Sequence, residues 1–269
     1  MPLAICATPI GNLDDVTLRV LEELREADLV LCEDTRHTRV LLERHGVAAK
    51  LVSYHQHNEA ARTSQTLERL RSGERVALVS DAGLPGVNDP GARLIGAAAA
   101  EGLEVTVLPG ASAVETALVA SGLAADRFQF VGYLPRRVAQ LRALAAELRT
   151  WSGAVVAFES PRRLPASLRI LAEELPARPA AVCRELTKRY EEISRGSLEE
   201  LSLRFAEPIR GEVTLVLGAG ASARSSGDED AASAAVAELV AAGAARRTAA
   251  EVVSRLSGTS RNRLYRGSL

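Results

Sequence analysis

Short apolar runs recur through the first 110 residues, each ending in a polar or Gly/Pro-rich loop and each followed by apolar residues at helical spacing. The runs are 2–8, Leu29–Cys32, 51–52, Val76–Val79 and 104–108. Uninterrupted Val, Leu and Ala suit parallel strands covered on both faces. Helical periods separate them: Leu18, Leu21 and Leu24; Leu41 and Leu42 before Gly46; a helix to Arg71 with Gly73 as its C-cap; a helix to Glu101; and one beginning near Ser112 after Pro109-Gly110. Strand-helix alternation repeated about five times predicts a doubly wound sheet with its loops on one edge, where ligands bind outside the carboxyl ends of the strands.

Residues 122–126 read as a junction, after which a second alternating unit begins. Strands are expected at Phe128–Tyr133, 154–158, 180–183, 190–194 and Val213–Leu217. Helices are expected over Val138, Leu141, Leu144 and Leu148, from Pro165, and after the capping box Ser197-x-x-Glu200. Residues 221–233 have a linker composition. Beyond them come a helix at 234–242, a second opened by the capping box Thr248-x-x-Glu251 and stopped by Gly258, and a last one from Ser260 through Tyr265. The pattern suggests a small helix-turn-helix module.

Charge sharpens that picture. The chain carries a net −1, but six arginines against two glutamates give residues 234–269 a charge of +4 and leave −5 on the rest. A basic tail on an acidic body suggests a polyanionic partner. Lys50 and Lys188 are the only lysines. Cys6, Cys32 and Cys183 lie far apart inside apolar runs and read as reduced core residues. No apolar run is long enough to span a membrane, and the amino terminus lacks the positive region of a signal peptide, so a cytoplasmic protein is expected.

The loop at 80–91 holds Gly83, Gly86 and Gly91 with Asp81 and Asp89 but no Lys, so it suits a cationic or hydroxyl-bearing ligand better than a nucleoside triphosphate. Gly110-Ala-Ser-Ala-Val114 imitates a nucleophile elbow, yet all four histidines precede Ser112, the wrong order for a hydrolase triad. Ser112 is then a helix N-cap, or a cap that also touches a ligand. His55-x-His57 lacks a third ligand at useful spacing, and no metal site is expected. Gly218-x-Gly-x-x-Ala223 runs into the linker and reads as coincidence. Mixed acid-base clusters end three strands: Glu33-Asp-Thr-Arg36, Glu159-Ser-Pro-Arg-Arg163 and Arg184-Glu-Leu-Thr-Lys-Arg189. Such clusters on one edge favour a site.

Thr8-Pro-Ile-Gly-Asn-Leu13, Glu33-Asp-Thr-Arg36, Tyr54-His-Gln-His-Asn58, Leu78-Val-Ser-Asp-Ala-Gly83 with Asp89-Pro-Gly91, Phe158-Glu-Ser-Pro161 and Arg184-Glu-Leu-Thr-Lys188 occur in this order over almost the whole chain. Together they resemble the motif series of the bacterial ribosomal RNA small subunit methyltransferase I family, of the tetrapyrrole-methylase-like superfamily. The chain departs from the family pattern at Leu84, which replaces a hydroxyl, and at Ala111, which loosens a turn. The resemblance implies two consecutive α/β domains (1–122 and 123–222) with a cofactor cleft between them, and a linker with a small basic helical module at 223–269. It implies S-adenosylmethionine as cofactor, lined by Ile10, Asp81, Gly83, Leu84, Ser112, Ala113, Phe158, Leu186, Gly211 and Glu212. It further implies transfer of a methyl group to the 2′-hydroxyl of a cytidine in the decoding region of 16S rRNA, and a homodimer. Asp34 or Glu159 is the candidate base. Arg36, Arg162, Arg184 and Lys188, with Arg261 and Arg263 in the tail, are the candidate RNA contacts. The rival readings are a small-molecule methyltransferase of the same fold and an RNA-binding regulator without catalysis.

Overall fold

The computed structural model describes residues 3–86, 89–220, 226–257, 259–261 and 264–265. The first sheet contains β1 (Leu3–Cys6), β2 (Leu29–Cys32), β3 (Leu51–Ser53), β4 (Val76–Val79) and β5 (Val105–Leu108), all parallel, in the order β3-β2-β4-β1-β5. Successive side chains of a strand point to opposite faces, so each strand feeds two cores. Ala4, Cys6, Val30, Cys32, Ala77 and Val79 pack with Val20, Leu21 and Leu24 of α1 (Leu18–Glu26) and Leu42 of α2 (Thr35–Arg44). Leu3, Ile5, Leu29, Leu31, Val76 and Leu78 pack with Leu67 and Leu70 of α3 (Glu59–Arg71) and Leu94 and Ala98 of α4 (Ala92–Ala100). Burial on both sides is the reason the runs are apolar throughout.

The strand order reverses around β1 and β4, which brings their carboxyl-end loops side by side. Thr8 and Gly83 form a two-way bridge there: the Thr8 N–H donates to the Gly83 carbonyl (2.8 Å) and the Gly83 N–H to the Thr8 carbonyl (3.1 Å).

The second sheet contains β6 (Phe128–Tyr133), β7 (Ala154–Glu159), β8 (Pro179–Arg184), β9 (Glu192–Ser197) and β10 (Val213–Leu217), in the order β6-β7-β10-β8-β9. β6 and β7 are parallel and the remaining pairs antiparallel. α6 (Val138–Leu148), α7 (Leu164–Glu174) and α8 (Leu198–Arg204) cover one face. The Ser197–Glu200 capping box at the start of α8 forms as expected. The other face is closed by α5 (Ala113–Ser121), the last helix of the first unit in chain order: Val114, Ala117 and Leu118 pack on Ala154, Val156, Ala181, Cys183 and Val216. Arg195 of β9 caps that helix, donating to the carbonyls of Ser121 (2.7 Å) and Ala120. The last carbonyls of a helix lack intrahelical partners and carry the negative end of its dipole, so a guanidinium fits there. α5 follows β5 of the first sheet in the chain but packs on the second sheet. All three cysteines are buried and unpaired.

Two tail expectations are corrected. The expected linker at 221–233 is largely helix, because α9 spans Ser226–Ala241; four alanines among residues 231–235 outweigh the Ser and Asp that suggest a loop. Thr248 does not cap a helix, because α10 (Arg246–Ser257) begins two residues before it. Gly258, the expected stop, lies outside the described residues, as do residues 221–223 of the Gly218 motif. Ala232 and Val236 pack on Ala249, Ala250, Val253 and Leu264, giving the module a small core of its own. Among the described residues no helix is long and apolar enough to cross a membrane.

Candidate active site

The parallel order of the first sheet puts the loops after β1, β2, β4 and β5 on one edge. Gly83 holds φ +76°, a left-handed conformation that favours glycine, and the space beside its Cα opens toward Ile10 and the Ala111 carbonyl. Thr8 Oγ1 donates to the Ser80 carbonyl at 3.0 Å, and Ser80 Oγ to the Gly83 carbonyl at 3.1 Å, so the turn is rigid. Asp81 Oδ1 accepts from the Asp34 N–H at 3.1 Å and ties the β4 loop to the start of α2. Leu84, by contrast, leans on the core between the first sheet and helices α3 and α4. Ser112 stands at the N-cap position of α5 without capping it, its hydroxyl donating to Glu115.

Glu33, Asp81 and Asp89 form the most conspicuous electrostatic feature of this edge. Burial, then the charges of Glu33 and Asp81, push the Asp89 carboxyl up to about 6. Glu33 is raised by burial and by Asp81, with His55 working the other way. Neither Glu33 nor Asp89 pairs with a lysine or arginine among the described residues. Such a group is disfavoured as it stands and is relieved by a cation.

The second domain meets this edge through the loop between β8 and β9. Gly11 lies so close to it that an added Cβ would stand 2.5 Å from Lys188 Cγ and 2.7 Å from the Leu186 carbonyl. The Asn12 N–H donates to Thr187 Oγ1 at 2.9 Å. Glu185 and Thr187 take positive φ (51° and 64°), held by bonds from the Glu212 N–H to Glu185 (2.8 Å) and from the Thr187 N–H to Glu191 (2.6 Å). Ile10, Ala113, Phe158 and Leu186 thus share one apolar cluster at the domain junction. Gly211 and Glu212 flank it through Glu185.

The expected charged residues do different work. Glu159 is fully buried, accepts from the Ser160 N–H (2.6 Å) and the Ser167 hydroxyl, and pairs with Arg163 at 3.2 Å. Its oxygens are occupied in holding the β7–α7 turn. Asp34 caps α2 through the Arg36 N–H, and its carboxyl is held well below the usual range by hydrogen bonds from the Arg36 side chain. Arg184 pairs with Glu192, and Lys188 with Glu185 and Glu212. Arg162 is exposed and has no ion-pair partner among the described residues. Arg261 is exposed in the tail, and Arg263 lies outside the described residues.

Sequence reasoning missed Tyr133. Its ring sits edge-to-face on Phe158 at 5.5 Å, Phe158 in turn on Phe130 at 4.9 Å, and 61% of Tyr133 stays exposed. Burial raises its hydroxyl, with further contributions from Asp89, Glu212, Glu159 and Glu33, so it stands where carboxylates of both domains converge. The signal was compositional: aromatic residues make up 3% of the chain, and an exposed one at a strand end is conspicuous.

Residues 2–202 match the family of Tetrapyrrole (Corrin/Porphyrin) Methylases. The chain is 46% identical to the ribosomal RNA small subunit methyltransferase I of Micromonospora olivasterospora, over 98% of this chain and 85% of that protein. It is 42% identical to the protein of the same name from Thermotoga maritima, over 80% of this chain and 97% of that protein. Among solved structures, the uroporphyrin-III C-methyl transferase of Thermus thermophilus complexed with S-adenyl homocysteine superposes with a TM-score of 0.59 at 21% identity, over 80% of this chain and 96% of that one. Fold, matched span and identity agree: the chain belongs to the ribosomal RNA small subunit methyltransferase I family of the tetrapyrrole methylases.

Proposed function

We propose that this protein is an S-adenosylmethionine-dependent methyltransferase that methylates the ribose 2′-oxygen of a cytidine in the decoding region of 16S rRNA. The observation that carries the reading is the unneutralised group Glu33, Asp81 and Asp89 beside the rigid Gly83 turn. S-adenosylmethionine supplies an electrophilic methyl on a positively charged sulfur, and its amino group is a second cation. Both suit an edge with an excess of carboxylates. Ile10, Gly83, Leu84, Ser112, Ala113, Phe158, Leu186, Gly211 and Glu212 line the cleft in this reading, and Asp81 accepts hydrogen bonds from the cofactor. Leu84 contributes its backbone, its side chain being committed to the core.

The residues themselves have two tasks: to align the hydroxyl with the methyl group and to take up the hydroxyl proton. Glu33 and Asp89 are better placed for the second than Asp34 or Glu159. A carboxyl raised toward neutral pH is a stronger base than one held low by Arg36, and Glu159 has no free oxygen. The substrate is the RNA of the small ribosomal subunit, the protein works in the cytoplasm as a homodimer, and Arg162 and Arg261 contact RNA. Arg36, Arg184 and Lys188 act mainly within the protein.

Mass spectrometry of 16S rRNA fragments after incubating small subunits with labelled cofactor tests the reading. One cytidine is expected to gain a ribose methyl. Label on a nucleobase, or none on RNA, rejects it.

A further inference from the structure

A second surface adjoins the cleft. Tyr133, Pro135, Arg136, Val138, Arg163 and Ile170 line a groove of about 760 Å³ between the first turns of α6 and α7. Its floor is rigid: Arg163 donates to the Pro135 carbonyl at 2.9 Å and the Leu134 carbonyl at 3.1 Å while pairing with Glu159. Its apolar side is open, with Val138 at 55% exposure beside Tyr133.

The charges around it are placed against electrostatic preference. Arg136 and Arg137 immediately precede α6, and Arg162 and Arg163 precede α7; no side chain caps either helix. A helix start carries the positive end of the dipole, where cations are unfavourable and anions favourable. Arg136, Arg137 and Arg162 are exposed, and none forms an ion pair or side-chain hydrogen bond among the described residues. Elsewhere in the domain arginines are commonly neutralised, as Arg142, Arg149, Arg184 and Arg204 are. Two helix starts and the free guanidinium of Arg136 at an apolar groove, with Arg137 and Arg162 each one residue along the chain from a lining arginine, attract a ligand that is anionic along its backbone and flat and apolar at its side groups. Single-stranded RNA has that chemistry: phosphates for the guanidiniums and bases for an aromatic face.

We propose that this groove seats the RNA strand next to the target nucleotide, with a base against Tyr133, Pro135 and Val138 and phosphates on Arg136, Arg137 and Arg162. The proposal rests on the RNA-methylating reading above and adds where the strand leaves the cleft. Tyr133 belongs to both regions, edge-on to Phe158 at the cleft and open toward the groove. It is a positioning residue and takes no part in the proton transfer.

Binding of a fluorescein-labelled single-stranded RNA oligonucleotide to the full-length protein, titrated against salt, tests it. The triple change Arg136→Glu, Arg137→Glu and Arg162→Glu is expected to weaken binding at least tenfold. It should also flatten the salt slope by about 2, at about 0.7 per lost single-strand phosphate contact. The corresponding triple lysine variant should keep most of both, and cofactor affinity by calorimetry should not move. Tyr133→Ala should raise the KM for small subunits roughly tenfold with little change in kcat, and Tyr133→Phe should restore it. Wild-type affinity and slope in the triple glutamate variant, or no oligonucleotide binding by the wild-type protein, overturns the proposal. Oligonucleotide binding lost in that variant while the wild-type enzyme fails to methylate ribose upholds the groove and rejects the reaction instead.

Discussion

At neutral pH Asp89 carries a charge that its surroundings oppose. Burial, Glu33 and Asp81 together raise its carboxyl to about 6, above its unfolded value near 4. A raised folded pKa means that the folded state holds its proton more tightly. The resulting stability is fully present below about pH 4 and is lost as pH rises through about 6. Asp89→Asn is therefore expected to stabilise the cofactor-free protein at pH 8 by about 1 kcal/mol, allowing for solvent screening, with no gain at pH 4. Thermal melts at the two pH values check this. The same reasoning predicts that cofactor binding to the wild-type protein weakens as pH falls from 7 to 5, with a flatter profile in Asp89→Asn by calorimetry. The proposed preference for Glu33 and Asp89 over Asp34 and Glu159 was not legible in the sequence. All four are acidic residues in or near loops that follow strands, and only the three-dimensional neighbours show that Arg36 engages Asp34 and that Ser167 and Arg163 engage Glu159.

Among the elements, the contact between the β1 loop and the β8–β9 loop sets how the two domains meet. Gly11→Ala would drive a methyl group into the Leu186 carbonyl and the Lys188 stem, and the carbonyl belongs to backbone already held at positive φ on both sides. We expect a loss of about 1–3 kcal/mol in urea unfolding, together with weaker cofactor binding, because Ile10 and Leu186 shift with the loops. Unchanged stability would show that the loops separate freely. The strands themselves were readable: β2, β4, β6 and β10 fall where their apolar runs lie. Their pairing in the second sheet was not, because a buried strand has the same composition whether its neighbour runs parallel or antiparallel. The position of α5 was equally hidden. Its apolar residues fit either sheet, and the Arg195 cap that helps hold it on the second comes from 74 residues further along the chain.

For the whole molecule, the C-terminal helices α9 and α10 form a module with a core apart from those of the two sheets. Its small core shares no residue with the four clusters that build the sheets. The Thermotoga maritima relative is matched over 97% of its length by 80% of this chain, so about a fifth of this chain has no counterpart there. Deleting residues 224–269 is expected to leave the cofactor dissociation constant within twofold and to raise the KM for small subunits at least fivefold, mainly through Arg247, Arg255 and Arg261, all exposed. Calorimetry and steady-state methyl transfer measure the two effects, and an unchanged KM would remove the module from RNA binding.

The order of apolar runs, the glycines of the turns and the ordered motif series determined the fold class, the sheet edge on which the loops gather and the family, because each depends on local backbone preference and on period along the chain. The tertiary structure alone decided which charges remain free. Among the described residues Arg36, Arg184 and Lys188 are neutralised while Arg136, Arg137 and Arg162 are not, and Asp89 is left uncompensated beside Glu33. Electrostatic free energy depends on distance and burial, and neither is written in the order of the residues.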